Sequence, residues 1–407
     1  MSDRPKVFFM KTISPENIVE IFKKLEKPLE GKVGIKVHSG EKGNKNFLKP
    51  EFFKPIVDHL NGTIIECNTA YPGERNSTEK HRAVMDEHEW TKYFKVDIMD
   101  ADEPDIKLDI PNGIAIKKNY IGKNAANYNS VLVISHFKGH AMGGYGGALK
   151  QLSIGFASTR GKSHQHSAGV TADQTRCWQN LASDKLFKEC MADAASSVVN
   201  FYKGNMAFIN VMKNISIDCD CDANASEPCM EDIGILASTD PVAVDKACLD
   251  KIYNSTDPGK KKLIERIEKL YGNHIIDAAV ELKIGNKEYD ESLGTCDYLN
   301  KQVGSDGVLY PPHSLDNEVF SEEFFKLAPT NDDIWFWTMA VKNKTRIFCP
   351  KNPTRAYAMT APAIQNKTSL SEYNSENNTY TLCMRSIFEE YPEVLRILNA
   401  EETEAVL

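Results

Sequence analysis

The residues most able to do chemistry lie in a glycine-rich stretch near the middle of the chain. The apolar run 131–134 is followed by a turn with four glycines and then by an apolar-periodic segment, which we interpret as strand, turn and helix. Such a turn can aim several backbone N–H groups at one point, and the helix adds the positive end of its dipole, so an anion is the expected ligand. The predicted anion-binding residues are Gly143, Gly144, Gly146, Gly147 and Lys150.

Lys150 and His140 flank this turn. Lys150 lies in the first turn of the predicted helix, where the dipole disfavours a cation unless an anionic ligand compensates its charge. His140 carries an imidazole, which titrates near neutral pH and suits acid–base catalysis. We therefore expect His140 to be a catalytic acid or base and Lys150 an electrostatic or covalent anchor. The alternative is a tight strand-to-helix connection with a surface lysine.

Two further histidines, His164 and His166, follow the predicted helix. A His-x-His pair places both imidazoles on one face of a strand, and imidazole nitrogens are ligands for nickel, zinc or iron. We therefore predict that His164 and His166 are metal ligands. The alternative is that both are ordinary loop histidines.

A third candidate site is the segment Asp218-Cys219-Asp220-Cys221-Asp222, at the end of a predicted strand over 207–217. Extended geometry places Cys219 and Cys221 on one face and the three aspartates on the other. Two thiolates could bind a soft metal or take part in redox chemistry, so both cysteines are predicted metal ligands. Buried thiols that close a strand are the alternative.

Composition excludes several classes of function. The chain has 407 residues, of which 41% are hydrophobic and 26% charged, as in globular proteins, and its formal net charge is −8. Without a dominant basic face, we expect no nucleic-acid partner. No apolar run approaches the roughly 18 residues of a membrane span, and the N-terminus lacks the form of a signal peptide. We therefore expect a cytoplasmic protein with no membrane partner, ten reduced cysteines, and a small anionic molecule as its ligand.

Strands alternate with helices along most of the chain, which predicts an α/β fold with a mostly parallel sheet and helices on both faces. Ligands of such sheets collect beyond the carboxyl ends of the strands. Polar residues follow two of the predicted strands there, and we assign Lys36, His38 and Arg75 to cofactor or anion binding. Asp240 comes after another strand; it is first a helix cap and second a candidate catalytic carboxylate.

The composition changes near residue 293. Residues 1–292 read as the α/β unit, which could comprise two subdomains. Residues 293–407 are richer in aromatic residues, prolines and asparagines, and read as a small α+β appendage. We therefore predict two domains, 1–292 and 293–407.

Several segments in order resemble the family of domain of unknown function 362, over about residues 5–290. The matching segments are Ile35-Lys36-Val37-His38, Tyr71-Pro72-Gly73-Glu74-Arg75, His136-Phe137-Lys138-Gly139-His140, Gly146-Gly147-Ala148-Leu149-Lys150, Cys219-Asp220-Cys221 and the segment from Asp232 to Asp245. Many members carry an inserted ferredoxin-like pair of iron–sulfur motifs. Between Lys162 and Ala207 this chain has only Cys177 and Cys190 and no Cys-x-x-Cys run, so we expect no iron–sulfur cluster.

The stretch from His140 to His166 is similar, more locally, to the nickel-dependent lactate racemase family. In that family a lysine at the place of Lys150 carries a nickel pincer nucleotide. The resemblance implies that Lys150 is an attachment point for a nucleotide-type cofactor, His140 an acid or base and His166 a metal ligand. The surrounding residues differ: Gly146 and Ala148 stand where that pattern usually has serine and glycine.

The C-terminal part, about residues 300–400, resembles the C-terminal fragment of a bacterial glycosyltransferase. The resemblance rests on the segment from Gly307 to Pro312 and on Asp332-Asp333-Ile334-Trp335-Phe336-Trp337. The nucleotide-binding half of such an enzyme has no counterpart upstream, so we interpret 293–407 as an appended fragment.

Three hypotheses follow from the sequence. The leading one is a metal- or nucleotide-cofactor-dependent enzyme that transfers a proton or a hydride on a small anionic substrate. The second is a non-catalytic protein that holds a metal or a cofactor, or serves its maturation. The third is a glycosyltransferase, which requires the C-terminal part to be functional.

Overall fold

The computed structural model describes residues 4–291, 294–297, 308–350, 373–374 and 376–406. The chain divides into two compact units, Met1–Glu291 and Ser292–Leu407. The first unit contains the predicted site residues, and its strands and helices are given first.

The strands of the first unit are β1 (Lys6–Met10), β2 (Val33–Lys36), β3 (Thr63–Glu66), β4 (Val96–Ile98), β5 (Ile106–Asp109), β6 (Lys118–Ile121), β7 (Ser130–His136), β8 (Lys138–His140), β9 (Gly144–Gly146), β10 (Met206–Met212), β11 (Gly234–Ser238) and β12 (Asp290–Glu291). Its α-helices are α1 (Pro15–Lys23), α2 (Lys54–Leu60), α3 (Thr78–Glu87), α4 (Trp90–Tyr93), α5 (Ala148–Lys150), α6 (Thr159–His166), α7 (Asp184–Phe201), α8 (Pro241–Asn254), α9 (Lys260–Lys269) and α10 (His274–Glu281). Helix α5 continues directly into a π-helical turn over Gln151–Gly155.

Among the described residues, eight strands form one sheet in the order β12-β1-β11-β10-β7-β2-β3-β4. The pairs from β10 to β4 are all parallel, and only β11 runs against its neighbours. The predicted α/β class with a mostly parallel sheet is therefore confirmed. The carboxyl ends of β2, β3, β7 and β10 meet at one edge, which we call the site edge.

The two faces of the sheet carry separate apolar cores. Strand β7 is buried along its whole length, and its side chains alternate between the faces. Val131 and Val133 belong to one core, which α7 and α8 cover, whereas Leu132 and Ile134 belong to the other, which α1 and α2 cover. This double burial explains why β7 reads as a continuous apolar run.

Sequence signals account for several helix starts. The Ser14 side chain accepts a hydrogen bond from the backbone N–H of Asn17, and Pro15 occupies the first helical position of α1. Asp240 and Pro241 start α8 in the same way, since Asp240 Oδ1 accepts from the N–H groups of Val242 and Ala243 at 2.8 Å each.

Asp240 is not at the site edge. It follows β11, and because β11 runs against the other strands, its carboxyl end lies at the opposite edge of the sheet. Asp240 also accepts from the backbone N–H of Asn286 at 2.9 Å. Its carboxylate is thus engaged as a helix cap, which is the first of the two expected roles, and the structure does not bring Asp240 to the other predicted site residues.

The second unit contains a β-pair, β13 (Gly294–Asp297) with β14 (Ile347–Pro350), and the helices α11 (Phe324–Leu327), α12 (Asp332–Lys342), α13 (Thr379–Glu390) and α14 (Pro392–Val406). Trp335, Trp337 and Ile387 are buried in its own apolar core. Gly307, which belongs to the glycosyltransferase-like segment, lies outside the described residues, and the assignment of this unit to a glycosyltransferase fragment stays a prediction. Within the described ranges, no helix is long and apolar enough to cross a bilayer.

Candidate active site

A cavity of about 510 Å³ opens at the site edge of the first unit. Its walls come from the loops after β2 and β3, from the segment after β8, from α5 with its π-helical turn, from α6 and from the loop after β10. The cavity brings together seven of the predicted site residues. They are Lys36, His38, Arg75, His140, Lys150, His166 and Cys221.

The N–H groups that follow the glycine-rich turn are occupied by an anion that the protein itself supplies. Asp245 of α8 accepts hydrogen bonds from the backbone N–H groups of Ala148 (2.7 Å) and Leu149 (3.0 Å), at the start of α5. This carboxylate is fully buried, and it also accepts from the Asn210 amide at 2.7 Å. A Cβ on Gly147 would lie 2.4 Å from the same carboxylate.

Gly144 and Gly147 therefore serve packing, and the role of the four glycines in cofactor binding stays a prediction. Gly144 has φ +81°, and a Cβ there would lie 2.8 Å from Gly272. None of the four lines the cavity. The sequence pattern correctly indicated backbone N–H groups that bind an anion. The anion is Asp245 of α8, almost a hundred residues away, which follows the three apolar residues 242–244. An acidic residue on the apolar face of a helix was the signal available for Asp245.

Cys219 and Cys221 lie in a turn, since β10 ends at Met212 and the N–H of Asp222 donates to the carbonyl of Cys219 at 2.9 Å. The predicted strand face was wrong, although the turn also brings the two sulfur atoms together. Asp220, between the cysteines, is buried and bonded to His136 Nδ1 (2.9 Å) and Lys138 Nζ (2.7 Å). Its pKa would be raised by burial, but His136 and Lys138 hold it below the usual range. The carboxylate thus fastens the turn to the end of β7.

The two sulfur atoms share one negative charge. Burial would raise the pKa of Cys219, but a hydrogen bond from Cys221 and the charges of Lys150 and Lys138 hold it well below the usual range. The pKa of Cys221 is raised by the same hydrogen bond and by burial. Lys150 Nζ lies 3.7 Å from Cys219 Sγ. The opposite shifts favour the thiolate form at Cys219 and the thiol form at Cys221, which lies on the cavity wall.

His140 faces this pair as a neutral imidazole. Its Nδ1 accepts hydrogen bonds from the N–H groups of Met142 (3.1 Å) and Gly143 (2.8 Å), so the proton of the neutral ring resides on Nε2. Nε2 lies 3.8 Å from Cys221 Sγ. Burial and the nearby Lys150 lower the pKa of His140. The ring thus presents an N–H proton to the cavity-lining thiol.

His164 and His166 do not form a metal pair. Both lie in α6, where two residues differ by about 200° around the helix axis, so the rings diverge. His164 packs on Tyr120, with ring centroids 5.5 Å apart, and does not line the cavity. His166 does line it, stacked on Phe187, with a buried Nδ1 that has no partner among the described residues. Burial, with His140 and Lys150 close by, lowers the pKa of His166 to about 3.

Arg75 and His38 both line the cavity, and other groups of the protein contact each of them. Arg75 is 1% exposed, and its guanidinium donates to Glu66 (2.9 Å) and Glu41 (3.4 Å), so the protein itself supplies carboxylate partners for its charge. The role of Arg75 in binding an external anion stays a prediction. His38 Nδ1 accepts from the N–H of Gly40 at 3.1 Å. Burial and Arg75 lower the pKa of His38 to about 4, so this ring is neutral.

Lys36 ends β2 and reaches the cavity as a buried ammonium group. It is 1% exposed, and its Nζ donates to the carbonyl of Val37 (2.6 Å) and to Gln151 Oε1 (3.0 Å). Burial lowers the pKa of Lys36 to about 8, against the opposing charge of Glu66. Lys162 of α6 is a second buried lysine on the wall, which the sequence patterns did not single out.

The donor atoms of His140, Cys219 and Cys221 all lie within 4.8 Å of one another. Ligands about 2.3 Å from a tetrahedral zinc ion lie roughly 3.8 Å apart, so the cluster has the dimensions of a site for one soft metal ion. The two sulfur atoms have suitable chemistry. The imidazole of His140 is less suited to binding a metal ion. If Nε2 were the ligand atom, the ring proton would have to be on Nδ1, but Nδ1 here accepts from two backbone N–H groups.

We predict that Asp245→Asn destabilises the first unit by about 3 kcal/mol, because a buried amide cannot satisfy all the donors that face the carboxylate. The measurement is the urea concentration at the midpoint of unfolding. Asp277→Asn, which affects an exposed ion pair with Lys287, is the matched control and leaves the midpoint unchanged. Equal midpoints for both variants would contradict the role of Asp245.

We predict a pH-dependent difference between the wild type and Lys36→Met. Between pH 8 and pH 10.5 folded Lys36 loses its proton while the unfolded chain keeps it, so the free energy of unfolding of the wild type rises with pH. The rise relative to Lys36→Met amounts to about 3 kcal/mol, given the fall in pKa from 10.5 to about 8. Urea unfolding followed by circular dichroism across this range checks it; parallel pH profiles would refute the prediction.

Comparisons with known proteins place the chain in a family. Residues 33–250 match the family described as Domain of unknown function (DUF362). No curated protein matches the chain.

Two solved structures are similar to it. The lactate racemase apoprotein from Thermoanaerobacterium thermosaccharolyticum is 18% identical, with a TM-score of 0.32, and the match covers 50% of each chain. A protein from Thermotoga maritima is 10% identical, with a TM-score of 0.34, over 67% of this chain and 60% of that one. The matched part thus spans less than two thirds of either protein. Since the DUF362 match covers more than half of the chain, the chain belongs to the DUF362 family.

Proposed function

We propose that the chain is an enzyme that transfers a proton on a small anionic substrate bound in the cavity at the site edge. The observation that supports this most directly is the group formed by Cys219, Cys221, His140 and Lys150: one shared negative charge, two transferable protons and one cation beside the same cavity. Pairs of titratable groups whose environments move their pKa values apart are a mark of acid–base sites.

The cysteine pair offers a base on the cavity wall. Cys221 lines the cavity, and when it passes its proton to the Cys219 thiolate, its own sulfur becomes the negative atom. That sulfur can then take a proton from a carbon next to a substrate carboxylate. The electron pair of the broken C–H bond moves onto the carboxylate, and the ammonium of Lys150 stabilises the added charge.

His140 is the second proton-transfer group. Because its Nδ1 is held by two backbone N–H groups, its Nε2–H is the proton it can donate to the carbanion or to a leaving group. Proton donation by His140 and proton removal by Cys221 proceed at adjacent points of the wall, 3.8 Å apart.

We predict that the enzyme catalyses exchange of the C2 hydrogen of at least one member of a panel of small 2-hydroxy and 2-amino carboxylates in D₂O, followed by proton NMR. His140→Asn and Cys221→Ser lower the exchange rate by about 100-fold, the usual contribution of a positioned acid or base. The matched controls are His164→Asn and Cys229→Ser, which alter residues outside the cavity lining, and both keep the rate. Exchange that survives His140→Asn and Cys221→Ser would overturn the proposal.

A second candidate function is a metal-dependent form of the same site. The grouping of one imidazole and two sulfur donors within 4.8 Å favours it. Nickel, zinc or iron would be held by Cys219 and Cys221 and would act as a Lewis acid towards an anionic substrate. A nucleotide-type cofactor attached to Lys150 stays a prediction from the sequence resemblance.

For this candidate we predict about one equivalent of a soft metal in protein purified without chelators, measured by elemental analysis. Cys219→Ser lowers the metal content to background, because thiolates are the soft ligands of the site. Cys229→Ser retains the metal and is the control. A wild-type protein that carries no metal and takes up no cobalt, as judged by the thiolate-to-cobalt absorption bands, would eliminate the metal-dependent form and leave the metal-free enzyme.

A further inference from the structure

Two ammonium groups on the cavity wall are buried without a carboxylate partner. Lys36 is 1% exposed and donates to the carbonyl of Val37 and to Gln151. Lys162 is 6% exposed and donates to the carbonyl of Ala157 at 2.5 Å. Among the described residues, their hydrogen-bond acceptors are therefore all neutral. A buried charge is costly unless a charge of opposite sign compensates it.

The carboxylates near these lysines are already engaged. Glu66 accepts from Arg75 (2.9 Å) and from the backbone N–H of Ser39 (3.0 Å). Glu41 accepts from Arg75 (3.4 Å) and from the hydroxyl of Tyr71 (2.9 Å). Asp100, the carboxylate near Lys162, accepts from the backbone N–H groups of Asn68 (2.9 Å) and Thr159 (3.2 Å). None of these carboxylates accepts a hydrogen bond from either lysine among the described contacts.

The backbone is shaped to admit Lys36. A Cβ on Gly155, at the end of the π-helical turn, would lie 3.1 Å from Lys36 Cε, 3.2 Å from its Nζ and 2.4 Å from Gln151 Oε1. Only glycine leaves this space without displacing the lysine or its amide partner. A π-helical turn is uncommon and is frequent at functional sites. Three features of one wall, the turn, the glycine and the buried ammonium, thus coincide.

We propose that Lys36 and Lys162 bind a second anionic group of the ligand, so that the substrate is a small dianion. This rests on the proposed function, in which the first carboxylate lies beside Lys150. The shared chemistry is two negative charges within one cavity, supplied by a dicarboxylate or by a carboxylate that also bears a phosphate. A ligand of this kind would supply the charged hydrogen-bond acceptor that neither lysine has among the described residues.

The test is calorimetric titration of the full chain with succinate, inorganic phosphate and acetate. We expect the better of the two polyvalent anions to bind at least about 10-fold more tightly than acetate, because each charged hydrogen bond adds affinity. Preference for succinate identifies a dicarboxylate, and preference for phosphate identifies a phosphate group. If acetate binds as tightly as succinate and phosphate, the inference is overturned. This part of the test uses the wild-type protein only.

Variants separate binding from structure. Lys36→Met and Lys162→Met weaken binding of the preferred anion by about 10- to 100-fold and change acetate binding less than about 3-fold. Lys188→Met is the matched control, because Lys188 is also buried, donates only to backbone carbonyls, those of Met142 and Asp184, and does not itself line the cavity. It leaves anion selectivity unchanged.

The unliganded Lys36→Met protein should also melt at the same or a higher temperature than the wild type, because it no longer buries an uncompensated charge. A lower melting temperature together with unchanged anion binding would show a structural role and overturn the inference.

This inference and the proposed function can fail separately. If hydrogen exchange at C2 occurs without selectivity for polyvalent anions, the proposed enzymatic function is kept and the second anion site is rejected. If polyvalent anions bind selectively but no exchange occurs, the second anion site is kept and the enzymatic function is rejected.

Discussion

The candidate site depends on one buried carboxylate. Asp245 satisfies the backbone N–H groups at the start of α5, and through Asn210 it joins that helix to β10. Burial raises its pKa to about 6, while the hydrogen bonds from Leu149 and Asn210 oppose that rise. The result is a fixed start for α5, from which Lys150 reaches the cavity. If an external anion compensated these N–H groups, the start of α5 would be stable only when that ligand is bound. Because Asp245 compensates them, the position of α5 is set by the fold itself.

Charge in the cavity is arranged in two parts. On one side a single negative charge is shared by Cys219 and Cys221, next to Lys150. On the other side the guanidinium of Arg75 is paired with Glu41 and Glu66, and the ammonium of Lys36 lies at the cavity wall with neutral hydrogen-bond acceptors. Buried charges interact strongly because water does not screen them. The cavity wall thus carries the cysteine pair on one side and buried lysines on another.

Contacts from the backbone and from neighbouring side chains together set the protonation states of the site. His140 keeps its proton on Nε2 because two N–H groups occupy Nδ1. The cysteine turn is held by Asp220, whose partners His136 and Lys138 lie at the end of β7 and in β8. The same contacts explain why only part of the cluster suits a metal ion. The two sulfur atoms could bind a soft ion, whereas the imidazole of His140 directs an N–H group, not a lone pair, at the cluster.

The amino-acid pattern predicted the sheet and seven of the residues that line the cavity. Alternating apolar strands and amphipathic helices fix a parallel sheet, and parallel strands bring their carboxyl ends to one edge, so Lys36, His38 and His140 could be placed together from local pattern. Cys221 and Lys150 follow from the same reasoning. The matching segments also identified the family correctly.

Only the tertiary structure decided which of these groups act together. Asp240 lies at the other edge because β11 is reversed, a pairing that depends on contacts with β1 and β10 and leaves no local signal. His164 and His166 diverge because their segment is helical. The residues that contact the glycine turn and Arg75 are distant from them in sequence. Whether a charged side chain can bind a ligand depends on its neighbours in space, which the sequence does not reveal.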